Sequence, residues 1–484
     1  MEKFDVKAIN KKIRDNIPFT HRWHNRFHIE MPFGLINDPN GLTFCDGEYH
    51  IFYQWNPLGT VHKNKCWAHT ATRDFVNYRM PTLAMHPTDE HDKDGCYSGC
   101  GFTEGGGLRV LYTCNAKDEN GVRTPAQRLG TYDGSMIRKD EIVVPKEEAG
   151  YTAHYRDPYV FWRHGQKHFV LGAQTENKRG CVVVYRENDD GKWEFLGELK
   201  TKMSETPEKF GYMWECPALL RFGDYDVLLC CPQGLPAKDF KYQNAHQSGY
   251  FAGHASLDSM EMYHGRFTEL DRGFDFYAPQ VFSHGGRHIM LGWMGMPDCD
   301  VDYPTAEKGW MFSLTMPRVL TLRQGHIFAQ PAKELRALRI EENAVDIDAQ
   351  ESQDIAVPLG EGAEILLDIE FGKAQIVDLE LVYGLEKTIL HYDKKAQVMS
   401  IDRSNMKLGG RGKRRFKLFA DETLEVKLFV DRTAIEAFFE HGEEVASFFV
   451  FPEKNILPEF VIKSDEPLQS VTGRVWDMAT IKFS

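Results

Sequence analysis

Three acidic residues stand at matching places in the sequence and could share one reaction. Asp38 lies in NDPNGLTF, Asp157 in RDPYVF and Glu215 in ECPALLRF, each a few residues ahead of a phenylalanine. Two further segments, YSGCGF with Ser98 and DFYAPQVF with Asp275 or Tyr277, put a polar group at the same place. Carboxylates gathered in one cavity repel one another and cannot all ionise easily. One is then held protonated as an acid while another stays charged as a nucleophile. Glycoside hydrolysis needs such a pair, about 5–5.5 Å apart in retaining enzymes and about 6.5–9.5 Å apart in inverting ones. Pro39 and Pro158 directly follow two of the acids, and Pro217 lies two residues after the third. A proline restricts the residue before it to extended geometry, which would aim each carboxylate reproducibly. Taken singly, NDPNG is also a good turn sequence. Arg156-Asp157 could likewise be a surface ion pair, and Glu215 an exposed acid at a strand start. Their shared place in a repeat sets them apart.

That repeat is an apolar strand, an aromatic residue, a polar or glycine turn and a second apolar strand. It reads LTFCDGEYHIFYQWN, CGFTEGGGLRVLYTC, YVFWRHGQKHFVLGA, LLRFGDYDVLLCCPQ and QVFSHGGRHIMLGWM. Its landmark aromatics Phe44, Phe102, Phe161, Phe222 and Phe282 are 58, 59, 61 and 60 residues apart. Each unit is a hairpin, and the remainder of each interval can hold two more strands. The expected fold class is therefore all-β, a five-bladed β-propeller whose inner strands bring these polar residues around one axis.

The rhythm ends after Trp293. Residues 331–342, PAKELRALRIEE, read as a short helix or helical linker. The segments AEILLDIEF, KTILHYD, LEVKLFVD, TAIEAFFE and VASFFVF beyond it alternate like strands of a C-terminal β-sandwich. The expected division is a propeller over 1–335, with an N-terminal extension over 1–20, and a sandwich over 345–484. A packing or dimerisation role suits the second part, and no chemistry is visible there.

A net charge of −13 argues against nucleic acid as a partner. The ten cysteines have no paired C-x-x-C spacing, so no zinc site is expected, and free thiols of a reducing cytoplasm account for them. The N-terminus lacks the apolar core of a signal peptide. No apolar run is long enough for a membrane span. No metal, cofactor or phosphate-binding glycine loop is implied.

At these residues the chain resembles glycoside hydrolase family 32, the invertases and fructan hydrolases. The resemblance rests on NDPNG, FYQWNP, CWAH, YSG, YRDP, WECP and DFYAP in that order, over roughly residues 20–484. It implies a five-bladed propeller plus a β-sandwich. It also implies that Asp38 is the nucleophile at the anomeric carbon, Glu215 the acid and base, and Asp157 the transition-state stabiliser, with Arg156 keeping Asp157 ionised. Cys216 would tune Glu215, or be a small buried thiol. Asn37, Gln54, Trp67, Tyr97, Ser98, Asp271 and Trp293 match sugar-pocket positions; for Trp67 and Trp293, strand packing is an equal alternative. GYTAHYRDP, LLCCPQGL, HQSGY and GWMGMPDCDVDYPT resemble the cytoplasmic bacterial members that act on phosphorylated sucrose. Plain sucrose, short fructo-oligosaccharides, fructosyl transfer and sugar binding without catalysis are the competing readings.

The chain departs from the family in two places. Leu35 and Ile36 stand at pocket positions where many members carry Trp-Met, and the loop before Trp67 reads GTVHKNKC instead of carrying an aromatic residue. That loop offers His62, Lys63 and Lys65 as phosphate contacts, lysine being a point charge suited to the task; a solvated basic loop is the alternative.

Overall fold

The computed structural model describes residues 4–201 and 210–484. Between residues 34 and 331, five largely antiparallel sheets follow one another in a propeller-like arrangement. Each opens with one of the expected hairpins. These pair β1 (Gly34–Cys45) with β2 (Glu48–Asn56), β3 (Gly95–Glu104) with β4 (Gly107–Lys117), and β5 (Tyr151–Arg163) with β6 (Gln166–Thr175). The last two pair β7 (Met213–Phe222) with β8 (Tyr225–Gln233) and β9 (Tyr277–His284) with β10 (Arg287–Met294). Four of the turns, Asp46-Gly47, Gly105-Gly106, His164-Gly165 and Gly285-Gly286, have positive φ at both residues. That is the type I′ geometry that matches strand twist, and glycine adopts it without steric cost.

The five opening strands form a closed cycle: β1 touches β3, β3 touches β5, β5 touches β7, β7 touches β9, and β9 touches β1. The first sheet is completed from afar, by Trp310–Met311 alongside β1 and by Lys482–Phe483 alongside Asn77–Tyr78. The landmark phenylalanines mark one end of the axis, where Phe44, Phe102, Phe161 and Phe282 line a cavity of about 760 Å³.

The sequence reading missed a helix, Val6–Asp15, in the N-terminal extension. Asp5 caps it by accepting the Ala8 N–H at 3.0 Å, and Ile13 is buried on its inner face. Val6, Ile9 and Ile13, at helical spacing behind a capping Asp, are the signal for it.

The linker is only partly helical: a 3₁₀ turn, Lys333–Leu338, leads straight into a strand, Arg339–Pro358. The C-terminal β-sandwich is one ten-stranded sheet folded on itself. The long strand Glu459–Met478 makes the fold. Its first part pairs with Ile376–Tyr383 and its second with Ala363–Glu370. Alternate residues Ile365, Leu367 and Ile369 meet Val377, Leu379 and Leu381 in the sandwich core. All ten cysteines are free thiols.

Candidate active site

The polar ends of the five opening strands meet at the mouth opposite the phenylalanines. Each strand slips register against its partner at the equivalent place: between Ile36 and Pro39, Cys96 and Gly99, Arg156 and Tyr159, Glu215 and Ala218, and Tyr277 and Gln280. A β-bulge there bends the strand and re-aims the side chains beside it. The proline argument fails in detail. Asp157 and Cys216 both precede prolines, yet they adopt positive φ of 68° and 47° rather than extended backbone. The bulge overrides the local preference, and a hydrogen bond from the Asp157 N–H to the Thr113 hydroxyl (3.0 Å) holds the turn.

Asp38, Asp157 and Glu215 face one cavity of about 340 Å³. Asn37, Gln54, Tyr97, Ser98, Arg156 and Trp293 line it as expected, and so do His62 and Lys65 of the loop. Asp38 accepts hydrogen bonds from the Asn37 amide (3.0 Å) and the Ser98 hydroxyl (2.5 Å). Lys65 Nζ donates to Asn37 Oδ1 at 2.6 Å, so Lys65, Asn37 and Asp38 form a chain. Burial pushes the Asp38 carboxyl up, against the opposing pull of Lys65, Ser98 and Asn37. Burial also pulls Lys65 down to about 8, with Asp38 and Glu215 resisting.

Glu215 is the most heavily hydrogen-bonded of the three. Its Oε1 accepts from Arg156 Nε (3.0 Å) and Nη2 (2.7 Å), and its Oε2 accepts from Gln233 Nε2 (2.9 Å) and the Tyr277 hydroxyl (2.7 Å). Burial works to raise this carboxyl. Arg156 and the Tyr277 hydroxyl outweigh it and hold Glu215 below its ordinary value. Arg156 thus hydrogen-bonds to Glu215, while its charge also lowers Asp157, in the direction the resemblance implied. Burial raises Asp157 to about 7 against the opposing charge of Arg156, with the charges of Glu215 and Asp38 adding to the rise. Cys216 also addresses Asp157 rather than Glu215: its N–H donates to Asp157 Oδ2 at 3.0 Å, and its thiol lies 3.7 Å from the same oxygen.

Five expected positions lie elsewhere. Leu35 and Ile36 are wholly buried in the apolar core. Trp67 is wholly buried between Phe52 and Tyr112, its indole N–H held by the Tyr97 carbonyl, so strand packing is its role. Asp271 sits in the seam between propeller and sandwich, where Oδ2 accepts from Arg318 (3.0 Å) and Ser447 (2.7 Å). Lys63 is exposed and does not line the cavity. Of the pair left open at the fifth strand, Tyr277 enters the site, and Asp275 turns to Arg403 (2.7 Å) and the Phe449 N–H (2.9 Å) of the sandwich.

Arg123, Gln233 and Asp298 also line the cavity and were not foreseen. They lie outside the opening strands, so the repeat gives no reason to choose them. Two buried polar atoms on the wall, Gln54 Oε1 and Trp293 Nε1, have no partner among the described residues. Buried polar groups are ordinarily hydrogen-bonded, which sets these two apart on the cavity wall.

Three carboxylates gathered in one pocket at the end of a propeller-like domain suit a glycosidase. The chain belongs to glycosyl hydrolase family 32: residues 28–331 match the family's N-terminal domain and residues 334–477 its C-terminal domain. It is 39% identical to a sucrose-6-phosphate hydrolase of Bacillus subtilis over 440 residues, 89% of each chain. It is 36% identical to one of Staphylococcus xylosus over 441 residues, 90% of this chain and 88% of that one. The solved sucrose-6-phosphate hydrolase of Lactobacillus gasseri matches with a TM-score of 0.88 at 29% identity, over 99% of this chain and 97% of that one. A β-fructofuranosidase of Bombyx mori, also solved as a point variant in complex with sucrose, matches over the whole of both chains with a TM-score of 0.86 at 28% identity.

Proposed function

We propose that this enzyme hydrolyses the β-fructofuranosyl bond of sucrose 6-phosphate with retention, releasing glucose 6-phosphate and fructose. The convergence of Asp38, Asp157 and Glu215 on one cavity carries the reading, and the substrate is that of the named bacterial relatives. Asp38, which has no arginine ion pair among the described residues, attacks the anomeric carbon. Glu215 gives a proton to the departing glucosyl oxygen, then takes one from the water that releases fructose. Asp157 accepts hydrogen bonds from fructosyl hydroxyls as the ring gains positive charge. A five-bladed propeller followed by a sandwich, dividing near residue 335, is the scaffold. A phosphorylated sugar as substrate suits a cytoplasmic enzyme.

Glu215 must carry a proton to act as the acid, and its neighbour Asp157 bears on that proton electrostatically. In the empty cavity Glu215 is the lower of the pair and Asp157, raised to about 7, is the higher. A coupled pair holds its protons jointly. Fructosyl hydroxyls that donate to Asp157 favour its charged form, and sugar filling the cavity removes water from Glu215. Both changes favour charge on Asp157 and a proton on Glu215, the direction that an acid role for Glu215 requires.

Gln54 fills a fixed place in this scheme. Its Nε2 is used by the Cys96 carbonyl and Ser98 Oγ, both at 3.2 Å, which leaves Oε1 to accept a sugar hydroxyl. Gln54→Leu is expected to lower kcat/KM by about 2- to 13-fold, the effect of one neutral hydrogen bond. Unchanged steady-state kinetics would remove Gln54 from the sugar site.

The substrate is tested by kcat/KM for sucrose 6-phosphate against sucrose. A clear preference for the phosphate ester is expected. Equal or better use of sucrose would move the enzyme to the plain invertase reading. No turnover of either would put another fructoside or a binding role first.

A further inference from the structure

Three cationic side chains line the catalytic cavity, and two are committed to it. Arg156 forks onto Glu215, and Lys65 donates to Asn37 beside Asp38. The third, Arg123, forms no ion pair with a carboxylate within 4.0 Å among the described residues. Its contacts are with Tyr97: Nη2 stands 3.4 Å from the phenol oxygen, and the guanidinium carbon stands 5.5 Å from the ring centroid. His154 adds no charge, because burial, Arg156 and Arg123 together push it down to about 4.

The backbone under Arg123 is hydrogen-bonded on both sides of the hairpin turn. It opens the strand Arg123–Tyr132, directly after a turn in which Asp118 Oδ1 accepts the N–H groups of Asn120 (2.9 Å) and Val122 (2.8 Å). Lys117 is its register partner across the hairpin. A planar cation with most of its donors unused among the described residues thus stands on a hydrogen-bonded hairpin end at the wall of the cavity. The protein's net charge is −13, so an anionic substrate meets an unfavourable overall field and needs a local cation. A guanidinium suits a phosphate better than an ammonium does, since it presents two parallel N–H groups to two oxygens.

We propose that Arg123, backed by the Tyr97 phenol, receives the phosphate group of the substrate and sets the preference for the phosphorylated sugar. This rests on the reading of the substrate as sucrose 6-phosphate. It moves the phosphate contact away from the loop: Lys63 lies outside the cavity, and Lys65 is already engaged next to the nucleophile.

The test is the ratio of kcat/KM for sucrose 6-phosphate to that for sucrose, in the parent enzyme, Arg123→Gln and Arg123→Lys. The ratio is expected to fall about 10- to 150-fold in Arg123→Gln, the range for losing a charged hydrogen-bonding partner. The change should fall mainly on KM for the phosphate ester. Arg123→Lys should fall less, since it keeps the charge and loses the fork. Should Arg123→Gln not fold, Arg123→Lys alone must still lower the ratio. Competition by glucose 6-phosphate, with glucose as the control, reads the same contact without turnover and should weaken in step. A parent that prefers the phosphate ester, with variants that keep that preference within two-fold, overturns the role of Arg123 and leaves the substrate reading standing. A parent with no such preference overturns both.

Discussion

Glu215→Gln is expected to lower kcat on sucrose or its 6-phosphate by about 10²- to 10⁴-fold, the usual contribution of a positioned general acid and base. The amide keeps the shape and can still meet Gln233 and Tyr277, so binding should change far less than turnover. The loss should shrink for β-fructosyl fluoride in the first step, because fluoride leaves without a proton. The substitution also has an electrostatic effect that a packing change would not produce. Glu215 is one of the charges that hold Asp157 near 7, and Arg156 loses the carboxylate it now forks onto. Asp157 should therefore titrate at lower pH in the variant, which carbon-13 NMR of labelled aspartate can read. A variant with more than about a tenth of parental kcat on the natural sugar would remove Glu215 from the proton-transfer role.

The meeting of these groups is legible in the sequence because the repeat is local. Strand, aromatic, turn and strand recur at a near-constant interval, and a repeated unit must place equivalent residues equivalently. Asp38, Ser98, Asp157 and Glu215 could be grouped on that ground, although each lies in a different sheet. Side-chain direction is not legible in the same way. Arg156 and Asp157 are neighbours in sequence, but successive residues on a strand point to opposite sides, and the bulge at this point adds a further twist. Arg156 consequently reaches Glu215 on the next opening strand. Leu35, Ile36 and Trp67 sit in motifs that the family uses at its pocket, yet here they face the core. Arg123 looks like any exposed basic residue near a turn, and only the closed cycle of strands shows which cavity it faces.

Asp271 illustrates the other limit and leads to the second large effect. The resemblance makes it a sugar-pocket residue, but its partners are 47 and 176 residues away, in Arg318 and Ser447. Arg318 is fully buried in the seam. It donates through Nε to Glu436 (2.8 Å), through Nη1 to Asp271 (3.0 Å) and through Nη2 to the Ser447 hydroxyl (2.5 Å). His28, raised to about 9 by Asp431 and Glu436 against the lowering effect of burial, supplies the second positive charge. Removing one member of such a set leaves buried charges without partners. Arg318→Met is therefore expected to destabilise the protein by about 3–5 kcal/mol. Urea unfolding should show an earlier midpoint for the phase that reports the seam.

Arg318→Met combined with Glu436→Gln should be less unstable than the sum of the single changes, because one of the two stranded carboxylates is gone. The loss should also reach the active site. The segment from Asp271 to Asp275 is tied to the sandwich strand by Arg272 N–H to the Val445 carbonyl (2.7 Å) and Asp275 N–H to the Ser447 carbonyl (3.1 Å). Tyr277, two residues further on, donates to Glu215. A loosened seam thus loosens a hydrogen bond on the acid itself, and kcat should fall together with stability. A variant with a parental unfolding midpoint would show that the seam does not depend on this arginine. Parental kcat in a destabilised variant would show that the sandwich holds the fold without bracing the catalytic carboxylate.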